Sequence, residues 1–306
     1  SLVAVSWSRT MPADSPLLPG LYLVATPIGN LGDITLRALE VLRRVDRIAC
    51  EDTRQTQKLL NHFEIATPTL SCHKHNEHDR APELIAAIER GSAIALVSDA
   101  GLPGVSDPGH ALVSAAIAAG LRVVPIPGAN AALSALIASG LPANEFIFVG
   151  FLPEKAGARR TCLEKLAAIP RQTAQTLIFY EAPHRIVQTL SDMEEIWGSS
   201  LRVVIARELT KIHEEFLRGT VAEVRSGLAG RDPLRGEITL LVEAPVRAPA
   251  SSGSPAEARE TLTARLRRMQ SESGLDEKDA LKRLARELGQ SKSEVYRELQ
   301  RERARR

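Results

Sequence analysis

Residues 21–33 read Leu-Tyr-Leu-Val-Ala-Thr-Pro-Ile-Gly-Asn-Leu-Gly-Asp, an apolar run that ends in a loop containing proline and glycine. The same arrangement recurs where residues 93–97 lead into the loop 98–104, and where residues 123–126 lead into 127–130. Each loop precedes a segment with helical spacing of apolar residues. This pattern predicts parallel strands of an α/β sheet, in which ligands bind at the carboxyl ends of the strands. The three loops therefore predict a single ligand-binding cleft.

The alternation of strands and helices continues through residues 20–128 and predicts a doubly wound, parallel-type sheet. Residues 129–244 combine hairpin-like and crossover spacings, which predicts a second α/β domain with a mixed sheet. Residues 245–257 are rich in Pro, Ala and Ser and are expected to form a linker. Residues 258–306 show helical spacing with glycine breaks, which predicts a basic helical tail of the helix-turn-helix type. We expect residues 1–19 to be a disordered extension.

Charge is distributed unevenly along the chain, although the formal net charge is only +2. Residues 245–306 contain 15 Lys and Arg against 10 Asp and Glu, and the rest of the chain contains 24 against 27. The tail is thus near +5 and the body near −3, which favours an anionic partner for the tail. The alternatives are a solvated charged helix and a helical appendage that packs on the body or on a second subunit. The candidate RNA contacts of the tail are Lys278, Lys282, Arg283, Lys292 and Arg297.

The three cysteines, Cys50, Cys72 and Cys162, are odd in number and scattered, which fits a reducing compartment. No apolar run approaches the roughly 20 residues that a membrane helix needs. The first 19 residues lack the pattern of a signal peptide. We therefore expect a cytoplasmic protein without a membrane partner.

A dinucleotide site is the first alternative that the loop 26–33 raises. Glu51 and Asp52 follow Gly29 by about 20 residues, the distance at which a carboxylate binds a ribose hydroxyl in Rossmann folds. The glycine spacing, however, does not fit, because Pro27 stands where that fingerprint needs a glycine. This motif alone does not identify the ligand.

The combination of motifs is more specific. It resembles the tetrapyrrole-methylase-like class of S-adenosylmethionine methyltransferases over about residues 20–244, and within it the members that methylate ribosomal RNA. The resemblance implies the two-domain α/β fold of this class, with S-adenosyl-L-methionine folded into the cleft between the domains. The matching stretches are 21–35, 49–54, 75–77, 98–101, 106–109, 125–128, 148–153, 179–185 and 206–211.

The resemblance also implies which residues contact the cofactor. Loop backbone supplies many contacts in this class, and the amino-acid end of the cofactor needs hydrogen-bond donors and acceptors. Its adenine needs apolar walls. The residues carried over by motif position are Ile28, Ser98, Asp99, Ala100, Val105, Asn130, Ala131, Glu181 and Leu209.

The activity implied by the resemblance is 2′-O-methylation of a cytidine ribose in the decoding region of small-subunit (16S) ribosomal RNA. A ribose hydroxyl is a poor nucleophile at neutral pH, so a general base adds roughly 10²–10⁴-fold to a reaction that also needs alignment. A loop cap or a cofactor contact is the alternative role of each candidate carboxylate. The candidate bases at strand ends are Asp99, Glu51, Asp52, Glu77 and Glu208, with His184 beside them.

RNA phosphates need cations, and several lie within or beside the motifs. Ordinary surface arginines are the alternative for part of this set. His73, His75 and His78 do not have the spacing of a closed zinc site, so no metal is expected. The candidate RNA contacts of the body are Arg54, Lys74, His75, Arg159, Arg160, Arg185 and Lys211, and Arg207 lies beside them.

The substrate partner is thus expected to be the RNA or the assembled 30S subunit, and the class implies a homodimer. Two other functions stay open at this stage. The first keeps the fold and methylates a carbon of a tetrapyrrole. The second is a non-catalytic RNA-binding module, which would require cofactor loops that no longer bind their ligand.

Overall fold

The structure is a computed structural model that describes residues 17–231, 234–246, 266, 270, 276–287, 295, 296 and 299. The described residues fall into two compact units. One contains both sheets and extends to residue 246, and the other contains residues 170–172 and the described residues from 266 onwards. Residues 1–16 of the extension expected over 1–19, and most of the expected linker 245–257, lie outside the described residues.

The first sheet has five parallel strands in the order β3-β2-β4-β1-β5. Its strands follow the apolar runs of the sequence, because a sheet covered on both faces needs continuous apolar segments. The strands are β1 (Gly20–Val24), β2 (Arg47–Cys50), β3 (Thr69–Ser71), β4 (Ala93–Val97) and β5 (Val123–Ile126), and the helices are α1 (Leu36–Arg44), α2 (Thr53–His62), α3 (Glu77–Glu89) and α4 (His110–Ala118).

Helices cover both faces of this sheet. Tyr22 and Val24 of β1 pack with α1 and α2 on one face. Leu21 of β1 and Ile94 of β4 pack with α3 and α4 on the other. The helices that follow the adjacent strands β1 and β4 therefore lie on opposite faces, which opens a crevice between the two loops. The predicted doubly wound sheet is confirmed.

The second sheet is mixed, as predicted. Its order is β6-β7-β10-β8-β9, with β6 and β7 parallel and the other neighbours antiparallel. The strands are β6 (Phe146–Phe151), β7 (Gln175–Glu181), β8 (Arg202–Arg207), β9 (Glu215–Thr220) and β10 (Ile238–Ala244), and the helices are α5 (Ala131–Ser139), α6 (Ala156–Ala168), α7 (Ile186–Trp197) and α8 (Val221–Leu228).

The two faces of the second sheet have different partners. Helices α6, α7 and α8 bury one face in an apolar core that includes Leu163, Leu190 and Val224. Helix α5 covers the other face, and Ile28 from the loop after β1 joins the same apolar cluster. Since α5 packs on the second sheet, we keep the proposed domain division at residues 128 and 129.

Helix α8 has no counterpart in the sequence prediction. It begins directly after β9, where Thr220 accepts a hydrogen bond from Glu223 N and the Glu223 carboxylate accepts one from Thr220 N. This reciprocal capping box satisfies two amide groups that a helix start leaves without partners. The Thr-x-x-Glu spacing was the available signal for this helix.

The second compact unit contains helix α9 (Glu277–Glu287), which lies within the predicted helical tail 258–306. Asp276 accepts a hydrogen bond from Asp279 N at its start. Leu281 and Leu284 are buried in a cluster with Leu266, Val295 and Leu299. The apolar residues of the tail therefore pack with one another, whereas Lys278, Lys282 and Arg283 are exposed. The candidates Lys292 and Arg297 lie outside the described residues.

The capping box of α8 leads to a first prediction. Thr220→Ala removes the side-chain oxygen that binds Glu223 N, so the free energy of unfolding should fall by about 1 kcal/mol. Thr220→Ser keeps the oxygen and should lose much less. Chemical denaturation of both variants measures the difference, and equal stability of the two would contradict the role of the cap.

Candidate functional site

The loops after β1 and β4 are joined by backbone hydrogen bonds. Thr26 N donates to Gly101 O at 2.9 Å, and Gly101 N donates to Thr26 O at 3.1 Å. The Thr26 hydroxyl adds a hydrogen bond to Ser98 O at 3.1 Å. The first two predicted loops therefore form one continuous surface at the carboxyl edge of the sheet.

The third loop closes on the first. A Cβ atom at Gly128 would lie 2.7 Å from Ala25 Cβ, so only glycine allows this approach. Asn130 then caps α5 by accepting a hydrogen bond from Leu133 N at 2.8 Å. The start of α5 is thereby placed beside the first two loops.

A cavity of about 380 Å³ lies where these loops meet the second sheet. Its volume is within the range of small-molecule sites. The lining residues from the loops are Ile28, 100–102, 105–107, Asn130 and Ala131, and those from the second sheet and its loops are Phe151, 180–183, Ala206, Leu209 and 236–239.

Seven of the nine predicted cofactor contacts line this cavity: Ile28, Ala100, Val105, Asn130, Ala131, Glu181 and Leu209. The other two, Ser98 and Asp99, directly precede Ala100 but are not among the lining residues. Ser98 is buried, and its hydroxyl donates to Gly101 O at 3.3 Å. Asp99 accepts a hydrogen bond from Asp52 N at 3.2 Å. Ser98 therefore stabilises the second loop from within, and Asp99 connects it to the segment that follows β2.

The Glu181 carboxylate is fully engaged inside the protein. Its Oε1 accepts hydrogen bonds from Ala182 N and from both Nε and Nη2 of Arg185, and its Oε2 accepts one from the Thr189 hydroxyl at 2.7 Å. The side chain therefore holds the end of β7 and the following turn in place. A ligand in the cavity meets this segment through its backbone and the neighbouring Pro183 rather than through a free carboxylate.

Glu77 does not fit its predicted role as a base. It is 7% exposed, and its Oε1 accepts hydrogen bonds from the backbone N–H groups of Gly109, Ala111 and Leu112 at 3.0, 2.8 and 3.2 Å. These groups belong to the start of α4, where a helix leaves amides without partners and where negative charge is favourable. Glu77 is thus a cap supplied by the neighbouring helix, which was the alternative role for each candidate carboxylate.

Asp52 and Glu208 are also held by neighbours. Asp52 caps α2, and hydrogen bonds from Arg54 hold its pKa below the ordinary value. Glu208 accepts hydrogen bonds from Lys211 Nζ at 2.8 Å and from Glu237 N at 2.9 Å, and Lys211 is the main reason that its pKa is lowered. Both carboxylates are therefore weak bases in this structure.

Glu51 has a different environment. Burial raises its pKa, the charges of Asp107 and Asp99 raise it further, and His73 opposes them. Asp107 lies in the same group of carboxylates and lines the cavity. Burial raises the pKa of Asp107, a hydrogen bond from Ser98 lowers it, and Asp99 raises it again.

Asp107 is not among the site residues predicted from the sequence. Its signal was a repeated pattern, because Ser98-Asp99-Ala100-Gly101 is followed in the same loop by Ser106-Asp107-Pro108-Gly109. Only the second aspartate of this repeat lines the cavity. Asp107 is therefore a carboxylate of the cavity that the sequence prediction did not include.

The predicted RNA contacts differ in accessibility. Arg159 is only 3% exposed and pairs with the buried Asp192 at 2.7 Å. Arg185 pairs with the buried Glu181 at 2.6 Å. These placements do not support an RNA contact at either residue, because breaking a buried ion pair leaves an uncompensated charge.

The remaining predicted cations are more accessible. Arg160 is 43% exposed and pairs with Asp192 and Glu195. Lys211 binds Glu208 and Glu237. Lys74 and His75 are exposed in the turn before α3, and Arg54 is exposed beside its partner Asp52. His184 is exposed after β7, and Arg207 pairs with Glu215.

The described residues contain no group of three His, Cys, Asp or Glu placed to hold a metal ion. Within the same part of the chain, no helix has the length and apolar character that a bilayer crossing requires.

The profile of the tetrapyrrole (corrin/porphyrin) methylases matches residues 20–225. This range includes all of the first sheet and four strands of the second. The chain belongs to this family. The relationship confirms the resemblance recognised from the loop motifs and accounts for the pairing of a parallel with a mixed sheet.

Several relatives are about half identical to this chain in sequence. The ribosomal RNA small subunit methyltransferase I of Halalkalibacterium halodurans is 48% identical over 281 residues, which cover 90% of this chain and 93% of that protein. The protein of the same name from Bacillus subtilis is 52% identical over 223 residues, which cover 73% and 74%. This chain is therefore similar over nearly its whole length to enzymes of that name.

A solved structure supports the fold. A uroporphyrin-III C-methyl transferase from Thermus thermophilus, complexed with S-adenyl homocysteine, aligns with a TM-score of 0.51 over 73% of this chain and 97% of its own. Its sequence is 20% identical, so the comparison concerns the fold alone.

The cap at Glu77 provides the second prediction. Glu77→Gln keeps an oxygen for the amides of α4 and loses only the charge, so the free energy of unfolding should fall by about 1 kcal/mol or less. Glu77→Ala leaves three buried amides without their partner and should cost about 2–3 kcal/mol.

Denaturant unfolding of the two variants tests this difference, with Glu83→Ala as the control at an exposed position of the same helix. Losses of the same size in Glu77→Gln and Glu77→Ala would show that the charge, and not the cap, is what matters.

Proposed function

We propose that this chain transfers a methyl group from S-adenosyl-L-methionine to small-subunit ribosomal RNA. The acceptor is the ribose 2′-oxygen of a cytidine in the decoding region. The observation that carries this proposal is the 48% identity to a ribosomal RNA small subunit methyltransferase I over 93% of that protein's length. The cavity at the strand ends is consistent with it, since seven predicted cofactor contacts meet there.

The cavity has the chemistry that this cofactor needs. Ile28, Ala131 and Leu209 provide apolar walls suited to an adenine. The backbone of Ala100 and Leu102 and the start of α5 provide hydrogen-bonding groups for a polar amino-acid end. When bound, the cofactor supplies an electrophilic methyl group. The residues of the chain orient the acceptor hydroxyl towards this group and accept its proton.

Asp107 is the proposed proton acceptor for the ribose hydroxyl. It lines the cavity, and its partial burial raises its pKa. A base is most effective when its pKa is near the working pH, so this shift favours proton transfer. The carboxylates of Asp52, Glu77 and Glu208 are instead engaged by Arg54, by α4 and by Lys211.

The RNA would approach from the side of the exposed cations. Arg54, Lys74 and His75 lie on the loops and the helix that follow β2 and β3. The exposed lysines of α9 are further candidates for phosphate contacts, in line with the charge of the tail. We also propose a homodimer, a cytoplasmic location and recognition of either the RNA or the assembled 30S subunit.

The alternatives are less well supported. A tetrapyrrole carbon as acceptor fits the fold, but relatives with tetrapyrrole substrates are only distantly similar, whereas those named for ribosomal RNA reach 52% identity. A non-catalytic RNA-binding module does not account for a cavity of cofactor size between intact loops.

The third prediction concerns the substrate. Incubation with methyl-labelled S-adenosyl-L-methionine should label small-subunit RNA, either naked or in assembled 30S particles, at one cytidine ribose. Nucleoside analysis after digestion locates the label. Label in a tetrapyrrole, or none in either form of the RNA, would refute the proposed function.

The fourth prediction concerns the proton acceptor. Asp107→Asn should lower kcat by about 10²–10⁴-fold, the usual contribution of a general base. The affinity for the cofactor, measured by calorimetry, should change little. In the unmodified protein kcat should rise with pH as Asp107 ionises, because only the carboxylate accepts a proton, and its raised pKa moves this rise to higher pH.

Asp79→Asn is the matched control, because Asp79 is an exposed carboxylate on α3. If Asp107→Asn retained the kcat and the pH profile of the parent protein, Asp107 would not be the base.

A further inference from the structure

Strand β6 contains an irregularity next to the cavity. Phe148 is paired with Ile178 of β7, but the next pairs are Gly150 with Phe179 and Phe151 with Tyr180. Val149 is therefore one residue more than β7 can match. Extra residues of this kind re-aim side chains and occur frequently beside active sites.

The bulge changes the face on which Phe151 lies. Residues three apart on a regular strand point to opposite faces. Here both Phe148 and Phe151 contact the ring of Tyr180, at centroid distances of 5.1 and 5.6 Å in edge-on arrangements. The extra residue thus places Phe151 on the same side as Phe148 and Tyr180, and Phe151 lines the cavity.

Gly150 makes this arrangement possible. Its φ of +76° belongs to the left-handed region that side chains disfavour. A Cβ atom here would also lie 3.2 Å from Ser106 Oγ. The second loop, which carries Asp107, therefore lies directly against the bulge, and Phe151 and Asp107 line the same cavity from adjacent segments.

Phe151 is 59% exposed although Tyr180 holds its ring in place. The residues that form the proposed apolar walls for the cofactor are more deeply placed, since Ile28 and Leu209 are 7% and 8% exposed. The ring therefore lies at the rim, where a second, larger ligand enters. Bases of single-stranded RNA bind proteins by stacking on such exposed aromatic rings.

We propose that Phe151 is the stacking platform for the nucleobase of the acceptor nucleotide. This inference rests on the proposed function. A base stacked on Phe151 leaves its own ribose beside the loop that carries Ser106 and Asp107, because base and ribose are directly bonded. Stacking tolerates every base, so Phe151 contributes affinity and placement, and the identity of the base is read by other groups.

The position of Phe151 favours an RNA base over the adenine of the cofactor as the partner that stacks on its ring. The adenine of the cofactor needs a buried apolar wall, whereas the Phe151 ring presents most of its surface to solvent at the mouth of the cavity. The same strand offers a matched comparison, since Phe146 is 43% exposed but is not among the residues that line the cavity.

The test uses the full-length protein with Phe151→Ala, Phe151→Trp and the control Phe146→Ala. The readouts are kcat and KM for methyl transfer to small-subunit RNA, the calorimetric Kd for S-adenosyl-L-methionine and the thermal unfolding temperature. Loss of one base stack should raise KM for RNA by roughly 10-fold or more in Phe151→Ala. The cofactor Kd should not change, Phe151→Trp should restore KM, and Phe146→Ala should behave like the parent protein.

A second measurement reports the stack itself. An RNA oligonucleotide with the fluorescent cytosine analogue pyrrolocytosine at the acceptor position should lose fluorescence on binding to the parent protein and to Phe151→Trp, but not to Phe151→Ala.

The outcomes separate the two proposals. Transfer by the parent protein together with an unaltered KM in Phe151→Ala overturns the inference and leaves the proposed function intact. A weakened cofactor Kd in Phe151→Ala assigns the ring to the cofactor and also overturns it. Absence of transfer to RNA by the parent protein overturns both.

Discussion

The paired hydrogen bonds between Thr26 and Gly101 are the constraint on which the site depends. They join the loops that leave two neighbouring strands, β1 and β4, although the helices after these strands lie on opposite faces of the sheet. Without this connection the two loops would diverge at the point where the crevice opens. With it, the residues around Ile28 and Ala100 form a single wall, to which the third loop is added by the close approach of Gly128 to Ala25.

The second sheet completes the cavity because one residue of the first loop belongs to its core. Ile28 is buried in the apolar cluster that α5 forms with β7, β8 and β10. The strand ends that line the cavity are held in turn by internal ion pairs, in which Arg185 binds Glu181 and Lys211 binds Glu208. These charged side chains therefore hold the backbone of the strand ends in place. Asp107 and the exposed cations of neighbouring loops are the groups that we propose for proton transfer and for RNA contacts.

Much of the fold could be predicted because buried parallel strands produce continuous apolar runs, and residues 93–97 and 123–126 were placed without error. The role of Glu77 could not be predicted, because its hydrogen-bond partners in α4 lie 32 to 35 residues further along the chain. The position of Phe151 was also inaccessible, because strict alternation along β6 assigns it to the wrong face until the bulge is known. Helix α8, in contrast, could have been predicted, because the Thr-x-x-Glu pattern of its capping box is present in the sequence.

The aliphatic part of the Lys211 side chain packs against Gly29, and its ammonium group forms ion pairs with Glu208 and Glu237. A Cβ atom at position 29 would come within 2.5 Å of the lysine stem. These two positions are 182 residues apart in sequence, yet substitutions at them are expected to occur together. A side chain can enter at position 29 only if Lys211 is shortened or releases its carboxylates and the backbone leaves its φ of +145°. In a collection of related sequences, a residue larger than glycine at the first position should therefore be accompanied by the loss of lysine at the second.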